Sequence, residues 1–357
     1  MKKTAFAFSI TLLLLVGCRP SPQPTATSPP YAPTPNAEDT PIPQSPEWTV
    51  YNTANSGLPS DFILGLALDA QGNVWIGTNA AGLAKFDGET WTVYNTNNSE
   101  LPHNTIYAIA IDARGAAWVG TYGGGMAKFD GETWTVYDTD NSGLPSNRIQ
   151  YLTVDAQGSI WIGTDDDGMA KFDGETWTVY DTDNSGLPHN GIQGLTIDAQ
   201  GNLWIATGIY WTPLGGGLAK FDGETWTVYD TENSGLPQNK VFPVAFDAQG
   251  NIWIPTYGGG LAKFDGVTWT VYTTANSGLP RNYVLALAVD AQGNIWSGCW
   301  NGAGLTKFDG ENWTVYDTEN SGLPYNGFIR LAIDTQGNMW IGTYGGGLAV
   351  YREGGVK

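Results

Sequence analysis

The residues that could do chemistry are few. The only two histidines, His103 and His189, fall at the same register of two Leu-Pro-His-Asn runs. Neither stands beside a Gly-x-Ser-x-Gly or His-Glu-x-x-His motif, so neither has a nucleophile or a zinc partner in its own stretch. Two loops open as calcium loops do: Asp138-Thr139-Asp140-Asn141-Ser142-Gly143 and Asp181-Thr182-Asp183-Asn184-Ser185-Gly186. Hard oxygen ligands at alternate positions on a Gly-terminated turn suit Ca²⁺, but the closing acidic residue is missing. Its place is held by Ile149 and Ile192. Asp138, Asp140, Asp181 and Asp183 are therefore an incomplete ligand set, and side chains capping their own turns account for the same residues. Asp165-Asp166-Asp167 reads as a solvated loop. The expectation is a protein with no cofactor and no catalytic centre, calcium remaining a minor alternative.

Binding chemistry is better supplied, and a repeat positions it. Trp75, Trp118, Trp161, Trp204, Trp253, Trp296 and Trp340 step by 43, 43, 43, 49, 43 and 44 residues. Trp48, Trp91, Trp134, Trp177, Trp226, Trp269 and Trp313 step identically. A period of about 40–45 residues points to propeller blades of four strands each. In the stretch 149–180, strand a should end in Asp155 and turn through Ala-Gln-Gly, followed by strand b at Ile160–Thr164. Strand c follows at Met169–Phe172, and Asp173-Gly174 signals a primed two-residue hairpin turn into strand d at Thr176–Tyr180. No segment after the N-terminal region offers a helix, because Gly and Pro punctuate short runs.

The count closes a ring. Glu47-Trp48-Thr49-Val50-Tyr51 is a strand d with nothing before it, and the repeat at 328–351 lacks a strand d. The first strand should complete the last blade and leave no open sheet edge. The fold class is thus all-β, a seven-bladed propeller over residues 47–352 with a short tail at 353–357.

The run LPSNRIQYLTVDAQGSIWIGTDDDGMAKF, with its copies LPHNTIYAIAIDARGAAWVGTYGGGMAKF and LPYNGFIRLAIDTQGNMWIGTYGGGLAV, resembles the two-component regulator propeller repeat. That resemblance implies an extracytoplasmic sensor part, of the kind that serves histidine kinases and often reads carbohydrate. Only Arg352–Lys357 follow the propeller in this sequence, with no kinase or response regulator. Streptogramin lyases are a similar propeller family with catalytic His, Glu and a metal, but that constellation does not map onto these residues.

The N-terminus has its own logic. Lys2 and Lys3 precede an apolar run, Ala5–Val16, which reads as a signal peptide over 1–17. Leu15-Val16-Gly17-Cys18 resembles the lipobox of bacterial lipoproteins, which implies lipidation of Cys18 and a stable membrane anchor. Residues 18–46, dense in Pro, Ser and Thr, read as a disordered stalk. With Cys18 lipidated, Cys299 has no disulfide partner and should be a small packed residue.

Copies within the chain differ most on one face. The Asp-Ala-Gln-Gly and Phe-Asp-Gly turns hardly vary, whereas the d-to-a connection, one strand-a position and the b-to-c loop do. A meander alternates ends, so the variable segments share a face and ring the mouth of the central channel. They present Tyr122, Tyr210, Trp211, Tyr257, Trp300 and Tyr344 as aromatic platforms. Arg148, Lys240, Arg281 and Arg330 supply donors, and Tyr151 lines the axis. Flat aromatics with a few polar groups suit a sugar chain or a peptide. Fourteen of the sixteen Trp recur at fixed positions and should pack between blades, which leaves Trp211 and Trp300 for function.

The formal charge of −19 excludes a nucleic-acid partner, which would need a basic patch. The function expected is non-enzymatic binding of a carbohydrate, a peptide or an envelope protein by a lipid-anchored monomer. The competing class is an envelope scaffold that docks through the blade rims, and a lyase or hydrolase is the weaker alternative.

Overall fold

The computed structural model describes residues 47–209, 214–300, 302–327 and 330–354. They form seven four-stranded antiparallel sheets and no helix. The third blade is typical: Ile149–Val154, Ile160–Thr164, Met169–Phe172 and Trp177–Tyr180. Strand d of the last blade is Trp48–Tyr51, paired antiparallel with Leu348–Tyr351 from Trp48↔Tyr351 to Tyr51↔Leu348. The ring closes as the strand count requires. The Arg352 amide extends the clasp by donating to the Glu47 carbonyl at 2.7 Å, and the Arg352 guanidinium donates to the Thr49 hydroxyl at 2.9 Å.

Strand b is the buried spine. In most blades all five of its residues are inaccessible, as in Ile160–Thr164. Its Trp lies between blades, and the indole N–H reaches the Asp that opens the preceding turn, at 2.8–3.1 Å in all seven blades. The same Asp accepts from its own turn: Asp69 Oδ1 takes the amides of Gln71 and Asn73 at 3.0 and 2.9 Å. Burial raises the Asp69 pKa, but hydrogen bonds from the Asn73 and Trp75 side chains and the turn amides outweigh it, and the carboxyl ends below its ordinary value. Six strand-c lysines lie over strand-b indoles, at 4.9–5.6 Å from the ring centroid.

The strand-d Trp packs less deeply than the spacing suggests. Apart from Trp48, these side chains are half-buried, stacked on the strand-c Phe of their own blade; Phe172 and Trp177 are 4.4 Å apart. Their inner edges sit on the Gly of each Asn-Ser-Gly run. A Cβ on Gly143 would come within 2.4 Å of Trp177, so a side chain there would have to shift the indole; in one copy Glu100 holds the same place.

The Phe-Asp-Gly turn differs by one residue from the expected hairpin. Phe172 pairs directly with Trp177, so Gly174 and Glu175 are the central residues and Asp173 is the corner. Only the Gly has a positive φ (104°), as a type II′ turn requires. At the equivalent corner, the Thr90 hydroxyl and the Thr90 and Glu89 amides hold the Asp87 carboxyl at about 2. The fifth blade departs most: its first strand is only Ala245–Phe246, following Pro243, which has no amide to give to a ladder.

Candidate functional site

The face opposite these turns is built on a backbone frame that every blade repeats. A Gly amide in each b-to-c loop donates to the carbonyl of the Asn (Asp61 before the first blade) in the next d-to-a connection, at 2.8–3.0 Å across all seven boundaries. That Asn also caps its own connection, as where Asn147 Oδ1 accepts the Thr139 amide at 2.9 Å. The frame explains the Leu-Pro-x-Asn signature without any ligand.

A second set of bonds runs within blades. The first residue of each b-to-c loop donates its amide to the residue just before strand a, as in Tyr122 to Thr105, Tyr257 to Lys240 and Trp300 to Tyr283. The seven bonds of this second set join fourteen positions into a rim around the mouth. In order they are Phe62, Asn79, Thr105, Tyr122, Arg148, Asp165, Gly191, Gly208, Lys240, Tyr257, Tyr283, Trp300, Gly327 and Tyr344.

Side-chain chemistry is uneven around this rim. Tyr257, Tyr283, Trp300, Tyr344 and Phe62 make an aromatic arc over the fifth, sixth, seventh and first blades. Tyr257 meets Tyr283 edge-on at 4.9 Å, and Tyr344 meets Phe62 likewise at 4.9 Å. Trp300 is half-buried against a small cluster with Phe242, Leu285 and Tyr257. Across the mouth stands a polar arc. The Arg148 guanidinium lies 5.3 Å from the centre of the Tyr122 ring and 3.9 Å from the Asp165 carboxylate. Burial pushes the Asp165 carboxyl up, Arg148 draws it down, and Asp166 and Asp167 push it up again. Six large hydrophobic side chains remain exposed among the described residues. Five of them, Phe62, Tyr122, Leu214, Tyr283 and Tyr344, lie on this face; the other is Val267.

The structure therefore brings together Tyr122, Arg148, Tyr257, Trp300 and Tyr344. Arg281 is exposed on the same face, two residues before Tyr283. Tyr151 and Arg330 lie below the rim, on strands a of the third and seventh blades. Tyr210 and Trp211, like Cys18, are outside the described residues.

Lys240 needs correction. It is not a donor displayed at the mouth but a side chain only 2% exposed. Its ammonium donates to the Ile209 carbonyl at 2.7 Å and sits 4.4 Å above the Tyr257 ring. Burial depresses its pKa to about 8. Lys240 thus holds the base of the six-residue expansion rather than facing a ligand.

Four residues of the site went unselected: Phe62, Tyr283, Tyr107 and Phe242. The first two were visible as the third residue after Leu-Pro, where the copies vary. Tyr107 packs on Tyr122 at 5.5 Å from a β-bulge in strand a, between Ile106 and Ala108.

The catalytic and metal candidates each take part in their own turns. His103 and His189 accept, through Nδ1, the amides of Thr105 and Gly191 at 3.0 and 2.8 Å. Asp138 Oδ1 takes the amides of Asp140 and Asn141, and Asp181 Oδ1 those of Asp183 and Asn184. Among the described residues no three His, Cys, Asp or Glu side chains converge. Cys299 takes the place that Thr holds at the end of strand b in the other blades. Burial pushes its thiol up to about 12, which keeps it unreactive.

The family model for the two component regulator propeller matches residues 57–80, 100–123, 143–166, 186–208, 278–301 and 322–345. The fifth repeat, with Pro243 and Pro255, falls outside those residues. No curated protein matches the sequence. Among solved structures, the chain is similar to the extracellular domain of the putative hybrid two component system BT3049 from B. thetaiotaomicron, at 24% identity and a TM-score of 0.72. That match covers 87% of this chain and 41% of the other. PorZ, a surface component of the type-IX secretion system of Porphyromonas gingivalis, matches at 16% identity and a TM-score of 0.68, over 84% of this chain and 48% of PorZ. Virginiamycin B lyase from Staphylococcus aureus matches at 13% and 0.67, over 86% of this chain and 99% of the lyase. The chain spans less than half the length of the first two. An extracellular domain of a putative two component system, a secretion component and a lyase share this fold, so the likeness speaks for architecture alone.

Proposed function

The chain belongs to the two component regulator propeller family through six of its seven repeats, and from that premise we propose that it is an extracytoplasmic binding protein whose channel mouth takes an oligosaccharide. The observation that carries this is the aromatic arc from Tyr257 to Phe62. Five rings sit on a rim tied by backbone hydrogen bonds, four of them in two edge-on pairs, and Phe62, Tyr283 and Tyr344 are each about 40% exposed. Pyranose faces stack on such rings, and the polar arc at Tyr122 and Arg148 offers hydrogen-bond donors to hydroxyls. A peptide could use the same arc, and the test separates the two. An anchor at Cys18 would hold this face outside the cytoplasm, in keeping with the extracellular and surface settings named for BT3049 and PorZ. A binding rather than catalytic role is supported by both histidines being engaged in their own turns.

The test is a titration of the full chain with a panel of oligosaccharides and peptides, followed by intrinsic Trp fluorescence, beside Trp300→Ala and Tyr344→Ala. Saturable quenching by a sugar, weakened about tenfold or more in each variant, is the expected result. Quenching that both variants retain would move the site away from the mouth, toward the scaffold alternative.

A further inference from the structure

Three consecutive positions of the rim carry a donor and an acceptor that face each other and that the protein itself does not use. Tyr122, Arg148 and Asp165 are tied through the backbone. Tyr122 and Arg148 form an antiparallel bridge between the second and third blades, and the Asp165 amide donates to the Arg148 carbonyl at 3.3 Å. The Arg148 guanidinium lies 5.3 Å from the centre of the Tyr122 ring, and Tyr107 packs against that ring at 5.5 Å. Attraction to the ring face holds the charge in place. The Asp165 carboxylate stands 3.9 Å from Arg148 Nη1, a gap beyond hydrogen-bond reach. Among the described residues neither the guanidinium nor the carboxylate has a hydrogen-bond partner. The two side chains are 58% and 26% exposed, so a ligand can reach both. A carboxylate that serves the fold looks different: Asp155 accepts from the Gln157 and Ser159 amides and from the Trp161 indole.

A hydroxyl is the group that fits this gap. It accepts from the guanidinium and donates to the carboxylate, and two adjacent hydroxyls on one ring can serve one group each. A ligand carboxylate fits badly. It would compete with Asp165 for the guanidinium, and Asp166 and Asp167 follow in the same loop, so like charges meet. A ligand ammonium meets the same objection from Arg148. We propose that Arg148 and Asp165 are the specificity-determining pair of the mouth, selecting a neutral sugar by its hydroxyls and disfavouring uronic acids. Only Asn79 and Thr105 stand between Phe62 and Tyr122 along the rim, so the pair adjoins the end of the aromatic arc. The assignment rests on the oligosaccharide-binding reading of the mouth, and it adds an acceptor to the donors and a charge class to the ligand.

The experiment uses the full chain with cellotriose, mannotriose and galactotriose, each beside the trisaccharide of the matching uronic acid. Binding is read by calorimetry and Trp fluorescence in wild type, Arg148→Gln, Asp165→Asn and Trp300→Ala. One neutral sugar should bind more tightly than its acid. Arg148→Gln and Asp165→Asn should each weaken that neutral sugar about tenfold or more, the range for a hydrogen bond to a charged group. The acid should respond with opposite signs. Asp165→Asn releases the guanidinium and should tighten the acid, whereas Arg148→Gln should weaken it further. A merely structural role would move the neutral sugar and the acid together. Near-UV circular dichroism checks that each variant keeps its tertiary structure; if one of the polar variants does not fold, the other decides. Neutral binding that Trp300→Ala loses and both polar variants keep overturns the pair while the mouth stands. A wild-type preference for the acid does the same. Silence from every sugar overturns both readings.

Discussion

The two faces of the propeller share a backbone and differ in what their side chains face. On the turn face the side chains are engaged inside the protein. Each opening Asp binds its own turn and the indole behind it, and each corner Asp binds the following Thr or Asn segment. On the mouth face the backbone frame is equally regular, but the side chains it displays are free to differ, and they do. Arg148 and Arg281 are displayed at the mouth, whereas the six strand-c lysines lie over indoles. Uniformity thus marks residues that hold the blades together, and variety marks positions where the frame leaves the side chain open, with Lys240 as a buried exception.

Mutations should separate the faces by size of effect. The largest loss belongs to the spine: Trp161→Ala, which removes a buried indole and leaves its Asp155 partner without that donor, should cost about 3–5 kcal/mol. The urea midpoint of the variant checks it, and a shift no larger than that of a mouth variant would erase the contrast.

Acid should act next, and on the turn face. Asp87, Asp130, Asp173 and Asp222 are each held at about 2, against an ordinary 3.8. A depressed folded pKa contributes stability that is complete above about pH 4 and is lost as pH falls through about 2. Replacing all four by Asn should reduce the fall of the thermal midpoint between pH 5 and 2.

Lys240 gives the mouth a pH response of the opposite sense. Its folded pKa of about 8 lies below the ordinary 10.5, so the unfolded chain binds more protons between those values and stability rises with pH across that window. Lys240→Met should remove the rise, measured by thermal midpoints from pH 7 to 10.5. The smallest effect is expected at the rim: Tyr344→Ala, 40% exposed in wild type, should change stability by no more than about 1 kcal/mol.

Period, strand count and closure were legible because each blade writes them in local residues: a Trp, an Asp-x-x-Gly turn, an orphan first strand. The mouth was legible only as variation. Tyr122, Tyr257, Trp300 and Tyr344 stood out against Gly-rich loops. Phe62 and Tyr283 did not, because each finds its ring partner on the preceding blade, a contact that no single repeat contains. Lys240 was misplaced for a related reason. Sequence shows an ammonium in a variable triplet, whereas its direction depends on the Ile209 carbonyl 31 residues earlier. The Asp-Gly corner was misjudged by one residue, since Asp173 binds the turn with its side chain and leaves the bend to Gly174 and Glu175. The fifth blade lost most of a strand to Pro243, which the repeat pattern alone did not weigh.

The shared last blade also sets an order of assembly in time. Thr49 and Arg352, joined in the clasp, are separated by 303 residues. Whether the chain emerges by synthesis or by export, N-terminus first, the first strand has no partner until the last residues arrive. Through that interval six blades can form while Trp48–Tyr51 stays unpaired, and the ring is completed only when the newest residues return to the oldest.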